Sequence, residues 1–252
     1  YDMAPLYAAG DLGQGVTVAV YELEDDTATP TDVAAYQQCF GTSAALPAAI
    51  AVDGGAPPDN PLMSFSDQTG LETNVDVETV LGIAPQATIQ IYDGPNATVA
   101  NPNGPYDTYA AIVDADQARV ISTSWAVCEG RAGAPIIAAE NTLFEQAAVQ
   151  GQTVLAASGD DGSDPCGEPS VNDPASQPFV TGVGGTTLSS LGSPPTTRPS
   201  ESVWNHTNHA GGGRRVDRLA DARLPGLEHR GWTHQQLQQR ERVRGALGLL
   251  LP

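Results

Sequence analysis

Apolar positions along the chain alternate between two rhythms. The run GVTVAVYEL (15–23) is short, apolar and β-branched, which predicts a buried strand. TPTDVAAYQQCFG (29–41) follows as a capped helix that stops at Gly41. ETNVDVETVLGIAP (72–85) places Val75, Val80 and Leu81 near helical spacing and ends before Pro85. ATIQIYD (87–93) reads as a strand, YDTYAAIVDADQA (106–118) as a helix and RVISTSW (119–125) as a strand. PIIAAENTLFEQAAVQG (135–151) is a helix with apolar i, i+3, i+4 spacing and a closing glycine. QTVLAASGD (152–160) runs from a strand into a small-residue turn, and FVTGVGGTTL (179–188) is one further strand. Residues 189–203 read as a Ser/Pro/Thr-rich loop. Strands alternating with helices predict an α/β fold, a three-layer arrangement of a parallel sheet with helices on both faces. On such a sheet, chemistry sits where strands end and loops begin.

Charge divides this picture in two. The 252 residues carry a formal net charge of −19 and no lysine. Residues 214–252 hold 8 of the 11 arginines, whereas residues 1–213 hold 3 arginines against 26 acids. So acidic a body repels nucleic acid and anionic lipid. It also stays soluble in acid, and a GC-rich coding sequence gives a similar composition. No stretch is long and apolar enough to span a membrane, and no signal peptide is present. The chain begins at Tyr1, which reads as a processed form or a fragment. Its 3 cysteines allow one disulfide. Cys128 and Cys166 are the better pair, because both follow predicted strand ends; Cys39 is then free, or its partner is missing.

Several groupings are candidates for chemistry. Glu72 and Asp76 stand at i and i+4 and so share one helix face. Close carboxylates repel when both are ionised, which raises one pKa. Such a pair serves either as a base with its orienting partner at low pH or as a solvated acidic first turn favoured by the helix dipole. Asp160 follows a strand end beside Gly159, where it points into a cleft or forms an Asx turn. Ser122, Ser124 and Trp125 occupy another strand end, a possible edge for a substrate backbone. No Gly-x-Ser-x-Gly elbow occurs. His206 and His209 lack neighbours that would complete a metal site and read as solvated loop residues.

Taken in order, these segments resemble the sedolisin family, the serine-carboxyl peptidases built on a subtilisin-like fold. PLYAAGDLGQGVTVAVYEL resembles the start of that family's mature domain, and GLETNVDVETVLGIAPQATIQIY its Glu-x-x-x-Asp helix. VISTSWAVCE resembles its Ser-x-Ser-Trp strand, AASGDDGSDPC its Gly-Asp turn, and NDPASQPFVTGVGGTTL the loop and strand beyond. The likeness covers residues 1 to about 213. It implies a subtilisin-like α/β fold, incomplete at its C-terminus. It also implies an acid-acting, secreted endopeptidase with peptide or protein substrates and an N-terminal prosegment in the full-length precursor. Glu72 would be the general base, Asp76 its orienting partner, and Asp160 the oxyanion-hole residue. A carboxyl group donates to an oxyanion only when protonated, which fits acid-acting chemistry. Pro174 would be cis by the same resemblance.

Two family features have no counterpart in these residues: the nucleophile in a C-terminal Gly-Thr-Ser motif, and a C-terminal calcium site. No serine follows Ser202. The family continues its glycine run with Ser-x-x-(Trp/Phe)-x-x-Pro-x-(Trp/Tyr)-Gln. Codons for RRVDRLADARLPG, read one base later, accommodate Ser-x-x-Trp-x-Met-Pro-x-Tyr-Gln. The expectation is therefore a partial peptidase domain over 1–213 and an out-of-frame basic tail over 214–252, with the chain inactive for want of its serine. The alternative is a non-catalytic peptide-binding pseudo-peptidase with a genuine basic tail. A third reading gives the nucleophile's role to Thr186 or Ser124, and requires either to reach Glu72.

Overall fold

The computed structural model describes residues 3–26, 29–57, 70–189, 200–205 and 211–213. Within these, α1 is Ala4–Ala9, β1 Thr17–Glu22, α2 Thr29–Phe40, β2 Ala48–Ala51, α3 Leu71–Ile83 and β3 Thr88–Asp93. Then come α4 Gly104–Ala115, β4 Val120–Thr123, β5 Val127–Cys128, α5 Glu129–Ala132, α6 Ala134–Gln150 and β6 Thr153–Ala157. Finally β7 is Asn172–Asp173, β8 Val180–Val183, β9 Thr186–Ser189 and β10 Ser200–Val203. The tail 214–252, together with His206 and His209, lies outside the described residues.

Six strands form one sheet in the order β2-β3-β1-β4-β6-β8, and every pairing in it is parallel. β1 supplies both cores by alternation. Val18 and Val20 pack with Val33 of α2 and Val77 and Leu81 of α3. Ala19 and Tyr21 pack on the opposite face with Ile112 and Val113 of α4 and Phe144 of α6. The sheet is therefore the middle of three layers. Tyr21 stacks on Tyr109 with ring centroids 3.8 Å apart, and Tyr109 meets Phe144 edge-on at 5.2 Å. Strand order reverses at β1, with β3 on one side and β4 on the other. In an open α/β sheet the crevice beyond the strand ends at such a reversal is where ligands bind.

The helices show which positions the sequence pattern assigns correctly. In α6, Glu140, Leu143, Phe144 and Ala147 are buried at helical spacing. In α3 the buried stripe is Thr73, Val77 and Leu81. Val75, expected on that stripe, is 50% exposed because it lies on the outward face. Glu72 and Asp76 sit one residue before Thr73 and Val77, so they share an edge of the helix flanking the buried stripe.

Two sequence expectations are corrected. The run 179–188 is not one strand: it breaks at Gly184–Gly185 into β8 and β9. Nor is 189–203 all loop, because Ser200–Val203 pairs antiparallel with Thr186–Ser189. The break follows from packing. Trp204 N donates to Gly185 O at 3.0 Å, and Gly212 N to Trp204 O at 3.0 Å. A Cβ on Gly212 would stand 2.9 Å from Gly185 N. The glycine run then lies on the turn after β6. Gly211 N donates to Asp160 O at 2.7 Å, Gly213 N to Gly159 O at 2.9 Å, and Ser158 Oγ to Gly213 O at 3.1 Å.

Cys128 and Cys166 form a disulfide with Cα atoms 5.6 Å apart, and Cys39 is free and exposed. It closes the loop between β5 and β7, and the peptide Asp173–Pro174 is cis. Gly159 is held at φ 96° and has no room for a side chain against Asn172. Gly159→Ala is expected to lower stability by about 1–3 kcal/mol through backbone strain and overlap. Chemical denaturation of the two proteins measures it; an unchanged midpoint would show that the turn adjusts freely.

Candidate active site

Four elements bring their ends together at the reversal of strand order. β1 ends in Glu22, and β4 runs on into Ser124 and Trp125. α3 presents Glu72 and Asp76, and the turn after β6 presents Asp160. Ser124 Oγ donates to Asp76 at 2.9 Å to Oδ1 and 3.0 Å to Oδ2. Ser124 also acts on the Glu72 carboxyl, lowering it against the effect of burial. Asp160 acts on Glu72 through its charge. Ser122, Ser124, Ser158, Asp160, Gly184 and Trp204 are among the residues lining a cleft of about 400 Å³.

Sequence reasoning missed Glu22. Its side chain is fully buried, and Trp125 Nε1 donates to its Oε2 at 2.7 Å. Trp125, expected on a substrate edge, is thus turned toward Glu22 and does not line the cleft. Glu22 in turn hydrogen-bonds Asp76. Its Oε1 receives no fixed N–H or O–H donor. Two carboxyl groups in contact need a shared proton, and Glu22 is the one that holds it. Burial pushes Glu22 well above the usual carboxylate range, with the Asp76 charge adding to the effect and the Trp125 hydrogen bond opposing it. Burial also raises Asp76 and Glu72, while the Ser124 hydrogen bond lowers both. Arg119 pairs with Asp116 at 3.1 Å at the far end of β4, and no described cation acts on the carboxyl group cluster. The one signal for Glu22 in the sequence is a pair of glutamates, Glu22 and Glu24, closing an apolar strand.

The arrangement suits proton transfer rather than metal binding. Among the described residues no group of three or more His, Cys, Asp or Glu side chains is set to hold a metal ion. The carboxyl cluster is tied up in hydrogen bonds among its own members. The described residues offer no metal-holding cluster for the calcium ion that the resemblance implies, and no step here depends on one. No described helix is long and apolar enough to cross a membrane.

The model of the subtilase family matches residues 62–210. The chain belongs to the subtilase family. Within it the chain is of the sedolisin type. It is 34% identical over 197 residues to kumamolisin of Bacillus sp. (strain MN-32), an overlap of 77% of this chain and 34% of that protein. It is 37% identical over 153 residues to sedolisin of Pseudomonas sp. (strain 101), covering 55% of this chain and 25% of that protein. The chain thus spans about a third or less of the length of these two relatives. The solved structure of Pseudomonas sedolisin, a serine-carboxyl proteinase complexed with two molecules of pseudo-iodotyrostatin, superposes with a TM-score of 0.68 at 26% identity. That superposition covers 87% of this chain and 65% of the other. A lanthipeptide protease shares the fold, with a TM-score of 0.51 over 74% of this chain and 53% of its own, at 23% identity.

A second carboxyl pair lies behind the site. Glu140 of α6 and Asp173 of β7 are both buried and hydrogen-bonded to each other. Gln177 Nε2 fixes the pair by donating to Asp173 Oδ1 at 2.7 Å and to Ile137 O at 3.2 Å. Burial, then the hydrogen bond to Asp173 and its charge, push Glu140 up to about 10. A raised folded-state pKa stabilises fully below the unfolded value and loses that contribution as pH rises through the folded value. For Glu140 the window opens near the ordinary 4.5 and closes at about 10. Glu140→Gln keeps a donor to Asp173 without needing the proton. Melting temperatures between about pH 4 and about pH 9 are expected to fall less steeply in the variant. Equal slopes would show that the pair is not protonated.

Proposed function

We propose that the chain carries the acid–base and oxyanion side of an acid-acting serine-carboxyl endopeptidase. The observation that supports this best is the hydrogen bond of Ser124 to Asp76, one turn along α3 from Glu72, at a cleft that Ser124 and Asp160 both line. In this reading Glu72 takes the proton of the nucleophilic serine as it attacks the peptide carbonyl. Asp76, anchored by Glu22, orients Glu72 and balances its changing charge. Asp160 is the group that donates to the oxyanion, as a carboxyl group does in its acid form. Ser122 and Ser124 border the substrate backbone at the end of β4. The substrate is a peptide or protein, and the setting is extracellular.

These 252 residues alone are proposed to cleave nothing: their one Gly-Thr-Ser, at 41–43, follows the first long helix, and the family's C-terminal Gly-Thr-Ser has no counterpart among them. The domain would then occupy 1–213, with 214–252 an out-of-frame tail. Removing one base ahead of the codon for Arg214, so that the frame is read one base later, and expressing the product tests this. The expected product contains a downstream Gly-Thr-Ser and cleaves protein in acid. Glu72→Gln in it is expected to lower kcat by at least about 10²-fold, the scale of a lost general base. A restored frame without Gly-Thr-Ser would contradict the reading. If the unaltered protein then bound peptides without cutting them, the peptide-binding pseudo-peptidase would stand instead.

One observation favours a second nucleophile. Ser124 Oγ reaches the same helix face, donating to Asp76 at 2.9 Å, whereas the Thr186 hydroxyl donates to Glu201 at 2.6 Å. Acid cleavage by the unaltered chain that disappears in Ser124→Ala would give Ser124 that role.

A further inference from the structure

Glu24 takes no part in the proton path described above, yet it is 98% shielded from solvent among acidic neighbours, with a relative exposure of 2%. Its partners are specific. Thr73 N donates to Glu24 Oε1 at 2.8 Å, and Thr73 Oγ1 donates to the same oxygen at 3.2 Å. Thr73 is the third residue of α3, and the first intrahelical bond runs from Asn74 N to Gly70 O at 2.9 Å. The amides of Leu71, Glu72 and Thr73 therefore precede the helical ladder and need outside acceptors.

A side chain at the N-cap usually supplies one. Here the N-cap is Gly70, at φ 78°, with no side chain to offer. The reason is steric: a Cβ there would lie 3.1 Å from the carbonyl oxygen of Asp25. The turn after β1 thus passes too close to the start of α3 for a local cap. The same turn delivers Glu24 in its place. A carboxylate at a helix N-terminus also matches the positive end of the helix dipole.

We propose that Glu24 is a positioning residue that caps α3 from the end of β1, locking Glu72 and Asp76 against Ser124 and fixing a negative charge beside them. This rests on reading Glu72 and Asp76 as the acid–base pair. One strand end then carries two devices, with Glu22 closing on Asp76 and Glu24 on the helix terminus. Asn74 adds a brace, donating through Nδ2 to Asp32 of α2 at 2.8 Å. The charged groups around Glu24 are Glu22 of β1, Asp25 and Asp26 of the turn, Glu72 and Asp76 of α3, and Asp93 of β3, with Asp160 acting on Glu72. All are acidic. The Glu24 charge raises Glu22, Glu72, Asp76 and Asp93, so its removal lowers their midpoints.

Amide exchange of Thr73 in the unaltered protein is the first test. Protection of Thr73 well beyond that of Leu71 and Glu72 is expected, and equal exchange of the three would overturn the cap. Glu24→Gln keeps an acceptor for Thr73 and removes the charge. In that variant Thr73 should stay protected, while the titration of the Trp125 indole N–H, which reports Glu22, moves to lower pH. An unmoved or raised midpoint would overturn the electrostatic part. Glu24→Ala should lose the Thr73 protection and about 2–4 °C in Tm. If that variant fails to fold, the unaltered protein and Glu24→Gln still decide. None of these readouts needs turnover. A restored-frame product without proteolysis would therefore count against the proposed function and leave the cap intact.

Discussion

Glu22 and Asp76 meet at the end of β1, where burial and mutual repulsion forbid both from ionising. Much of the site follows from this contact. The shared proton joins α3 to the central strand, and Trp125 secures its other side from the end of β4. The contact therefore ties β1, where strand order reverses and an α/β sheet opens its crevice, to its neighbour β4. Ser124 completes the link by donating to Asp76. The charge balance of the whole molecule fits the arrangement. With few cations in residues 1–213, buried carboxyl groups are satisfied by protons and by neutral donors rather than by salt bridges.

The same solution recurs at Glu140 and Asp173, in a layer away from the cleft. In Asp93, at the end of β3, burial opposed by the Ala56 amide leaves the group at about 6. A fold with protons built into its interior in this way is most stable in acid, because the unfolded chain gives those protons up at lower pH. The acid–base reading proposed above, with a base near its working pH and an oxyanion donor in its acid form, asks for the same conditions.

The long elements were legible because burial imposes a period on them. β1, β3, α4 and α6 each carry an apolar face that no loop would keep. β2 (Ala48–Ala51) was not, since three alanines and one isoleucine at a sheet edge carry no such signal. β10 hid in a Ser-rich stretch because its pairing with β9 is largely exposed on both sides. At the site, Glu72 and Asp76 were visible as an i, i+4 pair, and Asp160 by its glycine neighbour. Glu22 and Glu24 were hidden by context, reading as the tail of a strand. Their roles depend on α3 and Trp125, which approach from 49 and 103 residues away. The glycines at 211–213 acquired a reason only from their seat against Ser158, Gly159 and Gly185, where side chains do not fit.

Carbon-13 titration of the Glu22 and Asp76 carboxyl carbons, followed together with the Trp125 indole N–H across the acid and neutral range, addresses the shared proton most directly. The expected result is a coupled titration in which Glu22 keeps its proton well above the usual carboxylate range and the indole signal moves in the same step. Independent titration of the two carboxyl groups at ordinary values, with the indole signal unmoved, would contradict it.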